Sequence, residues 1–390
     1  MSVKPGIEVL LQSRLDLLKG SNVGAVVHPA SILTNLRHTA DALGNIKDFR
    51  LAALFGPQHG ARGEKQDNMI ESGFYQDPDT GIPVHSLYGH TRYPTEEMMR
   101  DIDVLLFDLQ DVGTRVYTFL YTMAYCMEAC ASYRKKMIVL DRPNPINGTE
   151  VEGNLLHVQF RSFVGLYPIP MRHGLTIGEL ALLFNSEFDI HCDLTVIKMD
   201  GWRRDFWFDQ TGLQWIQPSP NLPTLDSAIV YPGMVLFEGT NISEGRGTTR
   251  PFELVGAPFI RSRPYAEYLN KIGLPGVYFR PAFFQPTFNK WAGKVCGGVQ
   301  VHVRDREIFE PYLTGIAAVS AAHSLYPEFF EWRDPPYEYE FEKMPIEIIC
   351  GSRKIPDMIE HRVPQDQIRQ SWQKDIDDFI RLRKPHLLYE

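Results

Sequence analysis

The sequence lacks the features of a membrane protein or a nucleic-acid-binding protein. None of its apolar runs is long enough to cross a bilayer, and its net charge of −8 provides no basic face for phosphates. The N-terminal segment has only the short apolar run 9–11 before Arg14 and Asp16, so it does not resemble a secretory signal peptide. We therefore expect a cytoplasmic protein that binds neither nucleic acid nor membranes. Its oligomeric state is left open.

Motifs for metals and nucleotides are also missing. The five cysteines are scattered, and the close pair Cys126 and Cys130 has no partner pair at zinc-finger spacing, so buried reduced thiols are expected. There is no HExxH, GxGxxG, phosphate-loop or GxSxG motif. A metal site built from His59, His173 and Asp108 remains a hypothesis, but these histidines lie on separate loops. We expect no metal and no cofactor.

The first half of the chain alternates apolar runs with helical patterns. The runs are continuous rather than alternating, which is typical of parallel strands covered on both faces. They predict strands at 23–27, 51–55, 103–108, 137–141 and 194–198, with one helix at 8–18 before the first strand and helices at 95–100 and 117–134 between later ones. This order predicts a doubly wound, mostly parallel α/β sheet.

Polar loops follow the first four predicted strands, at 28–31, 56–60, 108–115 and 141–148. Ligands of such sheets bind where the carboxyl ends of the strands meet the loops. The sequence therefore predicts a site at this edge of the sheet, centred on the loop 56–64.

The second half has a different pattern. Thr176 and Glu179 form a capping box at the start of a helix, and the segments 218–223 and 237–251 are rich in Gly, Pro and Thr. Shorter mixed elements follow: a strand at 298–303 and helices at 309–325 and 375–383. We predict a body spanning residues 1–240 and a smaller α+β C-terminal domain spanning 241–390 that closes a cleft.

Acidic and basic side chains are concentrated in the strand-end and Gly-rich loops. Glycosidic bond cleavage usually requires a carboxylic acid that protonates the leaving oxygen and a second carboxylate. The carboxylates in these loops are Glu64, Glu71, Asp108, Asp111, Glu150, Glu152, Glu238 and Glu244. The arginines among them, which suit an anionic group on the substrate, are Arg62, Arg115, Arg142, Arg246 and Arg250. Each carboxylate can equally be a helix cap or an ion-pair partner.

The ordered motifs resemble a known family. They read GPQHGARG at 56–63, GIPVHSLYG at 81–89, FDLQDVGTRVYT at 107–118, DRPNP at 141–145, VEG at 151–153, HGLTIGELA at 173–181, PSPNLPT at 218–224, YPG at 231–233, FEGTNISEGRGTTRPFE at 237–253, FNK at 288–290 and GVQVH at 298–302. Because they extend over nearly the whole chain, the sequence is identified as a member of the NamZ-type exo-β-N-acetylmuramidases.

This resemblance implies a Rossmann-like domain, a smaller C-terminal domain and an active site between them. It also implies release of terminal β-1,4-linked N-acetylmuramic acid from the non-reducing end of peptidoglycan fragments. The arginine-rich loops suit the lactyl carboxylate of that sugar. A saccharide containing muramic acid is thus the expected partner.

One position departs from the family pattern. The family commonly has Glu-His-Gly in the second-strand loop, with the Glu as the favoured catalytic carboxylate, whereas this chain has Gln58. An amide cannot exchange a proton usefully at neutral pH. A neighbouring carboxylate then takes the acid role, or Gln58 orients the substrate's acetamido group as an internal nucleophile, or the protein binds muramyl saccharides without cleaving them.

We therefore predict the site as follows. The predicted catalytic residues are Glu64, Glu71, Glu238 and Asp108, with Glu64 the first choice. The predicted substrate-binding residues are Gln58, His59, Arg62, Gln110, Asp111, Arg115, Tyr117, Asn144, Glu152, His173, Asn241, Glu244 and Arg246.

Overall fold

A seven-stranded sheet forms the N-terminal half of the protein. The structure is a computed structural model that describes residues 2–63, 65, 66, 71 and 73–390. Its strands are β1 (Asn22–Val27), β2 (Arg50–Gly56), β3 (Tyr75–Gln76), β4 (Pro83–Ser86), β5 (Val104–Asp108), β6 (Lys136–Leu140) and β7 (Asp193–Ile197). The strand order is β3-β4-β2-β1-β5-β6-β7, and only the edge strand β3 is antiparallel to its neighbour. The predicted mostly parallel α/β sheet is confirmed.

Helices cover both faces of this sheet and continue through the C-terminal half. They are α1 (Gly6–Ser13), α2 (Thr39–Gly44), α3 (Glu96–Met99), α4 (Phe119–Tyr133), α5 (Ile177–Glu187), α6 (Leu225–Met234), α7 (Ser262–Ile272), α8 (Pro311–Leu325), α9 (Pro345–Cys350), α10 (Lys354–Glu360), α11 (Gln365–Gln370) and α12 (Gln373–Arg383). Among the residues that the structure describes, no helix could span a membrane.

A three-stranded antiparallel sheet characterises the C-terminal half. It contains β8 (Leu254–Ala257), β9 (Val277–Phe284) and β10 (Cys296–Val303) in the order β8-β10-β9. With α7 to α12 around it, this region has the predicted α+β composition. One large apolar cluster extends from Phe107 of β5 to Ile316 of α8, so both sheets pack against a continuous core. The division at residue 240 stays a prediction.

Helices α1 and α6 differ from the sequence prediction. The helix predicted over 8–18 is α1 followed by a separate 3-10 turn at Leu15–Leu18, because Arg14 leaves the helical region at φ −135°. Helix α6, which was not predicted, contains Pro232 and Gly233. A Cβ added at Gly233 would lie 1.8 Å from the Pro311 carbonyl oxygen, so glycine permits α6 to approach the start of α8 closely. The capping box of Thr176 and Glu179 at the start of α5 is confirmed.

Candidate active site

A small polar cavity lies between the loop after β2 and the C-terminal half. The residues that line it are Gln58, His59, Val116, Tyr117, Thr118, Val164, Ser219, Leu222, Tyr231, Glu238, Arg246, Phe252, Tyr337 and Glu338. They come from both halves of the chain. The cavity encloses about 30 Å³, about a tenth of a typical small-molecule pocket.

Glu338 is held by a hydrogen-bonded group on the N-terminal side of the cavity. The Gln58 side-chain amide donates to Glu338 Oε1 over 3.1 Å, and the Tyr88 hydroxyl donates to Glu338 Oε2 over 2.6 Å. Gln58 also donates to the Tyr88 oxygen, and its own Oε1 accepts from Thr118 over 2.5 Å. Gln58 therefore orients Glu338 through an amide that is itself fixed at both ends.

The second carboxylate of the cavity, Glu238, is paired with a cation. Arg246 approaches Glu238 Oε1 through Nη2 at 2.5 Å and through Nε at 3.1 Å, and the Tyr337 hydroxyl donates to Glu238 Oε2. Glu238 lies on the 3-10 turn Val235–Gly239 that follows α6. Tyr337 and Glu338 are adjacent in sequence. One short segment therefore carries the Glu338 carboxyl group and binds the Glu238 carboxylate.

The two carboxylates differ in electrostatic environment. Burial raises the pKa of Glu338 to about 7; the Tyr88 hydrogen bond opposes this shift and the charge of Glu238 adds to it. Burial lowers the pKa of Arg246, but the charges of Glu238 and Glu244 outweigh it and leave this pKa above its ordinary value. The cavity thus contains a carboxyl group that holds its proton near neutral pH beside one whose negative charge Arg246 stabilises.

Five of the predicted site residues line this cavity: Gln58, His59, Tyr117, Glu238 and Arg246. His59 Nδ1 lies 2.7 Å from the Lys65 carbonyl oxygen. That contact places a proton on Nδ1, because a carbonyl oxygen can only accept a hydrogen bond.

Other predicted residues lie just outside the cavity. Glu244 contacts Arg246 Nε at 3.3 Å and Lys290 Nζ at 2.7 Å, and thus supports Arg246 from behind. The Asn241 side chain bonds the backbone of Phe329 and Glu331 instead of facing the cavity.

Asp108 does not lie where the prediction required. It is buried and bonded by Arg142 at 2.6 and 2.9 Å and by the Thr39 hydroxyl at 2.5 Å, and it does not line the cavity. These contacts close the crevice where the strand order reverses, between β1 and β5, with His28 accepting from the Gln110 backbone N–H nearby. The polar side chains at this sheet edge pair with one another and hold the loops together. Asp108 thus has structural partners and does not line the cavity, and its catalytic role stays a prediction.

Several predicted substrate-binding residues also bond to other parts of the chain and do not line the cavity. Buried Arg115 donates to the carbonyl oxygens of residues 154, 169, 349 and 350. Glu152 accepts from the first backbone N–H groups of α8, where a carboxylate stabilises the helix N-terminus. Asn144 and Gln110 bond nearby backbone carbonyls, the latter those of residues 111 and 143. These polar atoms bond to other parts of the chain, and the role of these residues in substrate binding stays a prediction.

Asp111 and His173 form a separate buried pair, with Nε2 of the histidine 3.3 Å from a carboxylate oxygen. Neither residue lines the cavity. Among the described residues, no group of three or more histidine, cysteine, aspartate or glutamate side chains is placed to hold a metal ion. All five cysteines are buried and unbridged.

The remaining predicted residues, Arg62, Glu64 and Glu71, follow β2 in the sequence. Arg62 is half exposed and bonds Asp77 over 2.8 Å at the edge of another pocket, of about 320 Å³. Glu71 is exposed and accepts from the Tyr339 hydroxyl over 3.3 Å. Glu64, the first choice for the acid, lies outside the described residues, and its role stays a prediction.

Sequence reasoning missed Glu338, Tyr337, Tyr88 and Thr118. The first two belong to a Tyr-Glu-Tyr-Glu run at 337–340 that follows two prolines. Such a run carries no catalytic motif. Tyr88 and Thr118 lie inside segments quoted for the family resemblance, but their types gave no reason to select them.

Comparisons with known proteins agree with this architecture. The chain is 49% identical over 387 residues to the peptidoglycan β-N-acetylmuramidase NamZ of Bacillus subtilis (strain 168), covering 99% of this chain and 91% of that protein. Two crystal structures of DUF1343 family proteins from Bacteroides fragilis NCTC 9343 cover 100% of this chain and 99% of their own, at 38% and 32% identity with TM-scores of 0.89 and 0.79. The family descriptions "Exo-beta-N-acetylmuramidase NamZ, N-terminal" and "C-terminal" match residues 23–226 and 229–389. The chain therefore belongs to the NamZ exo-β-N-acetylmuramidase family.

Proposed function

We propose that this protein is an exo-acting glycosidase that releases terminal β-1,4-linked N-acetylmuramic acid from peptidoglycan fragments. Membership of the NamZ family and 49% identity to a peptidoglycan β-N-acetylmuramidase support this activity. The structural observation that carries the proposal is the pair of carboxyl groups in one cavity, of which Glu338 has a pKa of about 7.

Glu338 is the proposed proton donor. A general acid works best when its pKa lies close to the working pH, since it is then protonated yet able to release its proton. Burial provides this condition for Glu338. The proton passes from the Glu338 carboxyl to the glycosidic oxygen as the bond to the anomeric carbon breaks. A water molecule then adds its hydroxyl group to the anomeric carbon and returns a proton to Glu338. Asp141 and Glu152 also have pKa values raised to about 7 by burial, but neither lines the cavity.

Glu238 is the proposed second carboxylate. Positive charge develops on the sugar ring as the bond breaks, and a fixed negative charge stabilises it. Arg246 and Tyr337 hold Glu238 in place through both of its oxygens. Of the five arginines predicted to suit an anionic substrate, Arg246 is the one that lines the cavity in the described part of the chain.

The role proposed for Gln58 follows from its contacts. Its amide is engaged by Glu338, Tyr88 and Thr118, an arrangement that suits a positioning residue for the acid. Among the three explanations for the missing family glutamate, these contacts favour transfer of the acid role to another carboxylate, with Glu338 in place of Glu64 or Glu71. The same contacts disfavour orientation of the substrate's acetamido group by Gln58.

The size of the cavity bears on how the sugar enters. A volume of about 30 Å³ holds roughly one water molecule, so binding a sugar requires the lining side chains to separate. The segment 337–340, closed by paired backbone hydrogen bonds between Tyr337 and Glu340, carries two lining residues and packs over the loop after β2. We propose that this segment moves when the substrate binds.

A chromogenic glycoside tests the activity. The protein is incubated with 4-nitrophenyl β-N-acetylmuramide, and with the matching N-acetylglucosaminide as the control for the lactyl group. We expect release of nitrophenol from the muramide and much slower release from the control. If high enzyme concentrations release nothing while Gln58→Glu does, the natural protein is a saccharide-binding protein and the proposal is wrong.

A further inference from the structure

An open groove borders the C-terminal half of the cavity. It encloses about 660 Å³ and is lined by Gly247, Thr248, Thr249, Gln285 and the aromatic rings of Phe283, Phe284 and Phe288, together with neighbouring residues. This volume falls within the usual range for ligand-binding clefts, roughly 300–1,000 Å³. The groove can therefore accept at least one sugar ring without rearrangement, whereas the cavity cannot.

The chemistry of the groove suits a neutral saccharide. None of the side chains that line it in the described part of the chain carries a formal charge. Phe283 is 75% exposed and stands on β9, an edge strand of the smaller sheet. Pyranose rings present an apolar face of C–H groups that packs on aromatic rings, and aromatic side chains offer a large rigid area for such contact. Threonine hydroxyls and the glutamine amide complement sugar hydroxyl and acetamido groups.

The groove is continuous with the cavity along the chain. Arg246 lines the cavity and its neighbour Gly247 lines the groove. Gly247 has φ +77°, and a Cβ there would lie 2.6 Å from the Phe288 carbonyl oxygen. The backbone N–H and hydroxyl of Thr287 both donate to the Gly247 carbonyl oxygen, at 2.9 and 3.0 Å. The loop that carries Arg246 is thus fastened to the aromatic side of the groove.

A second connection between the groove and the cavity is made by Gln66 and Asn221. Gln66, which lines the groove, accepts through its carbonyl oxygen from the Asn221 side chain at 2.9 Å. Residues on both sides of Asn221, namely Ser219 and Leu222, line the cavity. Adjacent residues of the chain therefore line the cavity and the groove on both sides.

We propose that this groove binds the leaving-group saccharide that remains after the terminal sugar is cleaved, with Phe283 as the stacking platform for its first, neutral N-acetylglucosamine unit. This assignment rests on the proposed function. A cavity that must open to admit one sugar, beside an open groove, suits the removal of a terminal unit. In the part of the chain that the structure describes, the groove is lined by uncharged side chains, which favour an N-acetylglucosamine unit over a peptide stem that carries carboxylates.

The test compares Phe283→Ala with Tyr278→Ala, which removes another exposed aromatic ring of β9 that lies outside the groove. The substrates are a peptide-free muramyl tetrasaccharide, which extends into the groove, and β-N-acetylmuramyl fluoride, whose leaving group does not. We expect Phe283→Ala to raise KM for the tetrasaccharide by about tenfold and to leave hydrolysis of the fluoride unchanged. Tyr278→Ala should change neither.

Equal KM values for the tetrasaccharide in wild type and Phe283→Ala would overturn the assignment, as would a loss of equal size for both substrates. Calorimetric titration with tetra-N-acetylchitotetraose provides a readout that does not need turnover. We expect binding to wild type and Tyr278→Ala and weaker binding to Phe283→Ala. If wild type hydrolyses neither substrate, the proposed function fails, while this titration still decides the groove: no binding, or binding insensitive to Phe283→Ala, refutes it.

Discussion

Replacing Glu338 by glutamine should abolish most of the activity and at the same time stabilise the protein at alkaline pH. The amide keeps the size of the side chain, and it can still accept from Gln58 and bond the Tyr88 hydroxyl, which donates or accepts. It cannot donate a proton to a leaving oxygen. Loss of a general acid typically costs about 10² to 10⁴ in rate.

The magnitude of the stabilisation follows from the pKa of Glu338, which rises from 4.5 to about 7 on folding. The folded protein holds this proton more tightly than the unfolded chain, so the wild type loses stability as the pH rises from 4.5 through about 7, and the full cost is present above that value. At about 1.4 kcal/mol per pKa unit, this cost is about 3 kcal/mol. The glutamine variant does not have this cost, because its side chain does not ionise. A difference of that size corresponds to about 4 °C in Tm for a chain of this length.

Two assays check the prediction. Thermal unfolding of wild type and Glu338→Gln at pH 5 and pH 8 should give a higher Tm for the variant at pH 8 and a much smaller difference at pH 5. In the wild type, kcat/KM for the peptide-free muramyl tetrasaccharide, whose sugar leaving group needs a proton, should fall as the pH rises through about 7, because the acid loses its proton. Glu342→Gln, at an exposed position two residues after the segment 337–340, is the matched control and should behave as wild type.

A rate loss under tenfold would remove Glu338 from the acid role, and Glu64 would become the leading candidate again. A Tm at pH 8 that is lower than that of wild type would show that Glu338 stabilises the fold in its charged form. Either result refutes the reasoning, because the proposed role requires a buried carboxyl group that is costly to ionise.

Three further substitutions test the surroundings of the cavity. Gln58→Glu places a second carboxyl group against Glu338, so the alkaline limb of the pH–rate profile should move to higher pH; an unchanged limb would mean that Glu338 is not the titrating group. Arg246→Met removes the cation beside Glu238, and leaving that charge buried should cost about 3–5 kcal/mol in urea unfolding, whereas a loss below 1 kcal/mol would contradict the pairing. Arg115→Ala removes the guanidinium that donates to four carbonyl oxygens. We expect the free energy of unfolding in urea to fall by about 3 kcal/mol or more. A stable variant with a raised KM would instead support substrate binding by Arg115.

Local patterns in the sequence were sufficient for the architecture of the N-terminal half. Continuous apolar runs predicted β1, β2, β5, β6 and β7 to within a residue or two, because a buried parallel strand needs apolar side chains on both faces. The short strands β3 and β4 and helix α6 were not predicted. Two- and four-residue strands have no measurable period, and Pro232 and Gly233 disguise a helix whose close packing requires glycine.

The sequence alone also determined that the loop after β2 borders the cavity, since Gln58 and His59 line it, and the family motifs established relationship over nearly the whole chain. Only the tertiary structure decided which polar residues face the cavity. Asp108, Arg115 and Glu152 are as conspicuous in the sequence as Glu238, yet their partners are backbone groups and neighbouring side chains. Glu338 meets Gln58 across 280 positions of sequence, and its proton affinity comes from burial by residues of both halves. Neither the contact nor the desolvation is encoded in any local pattern, because both arise only when the two halves pack together.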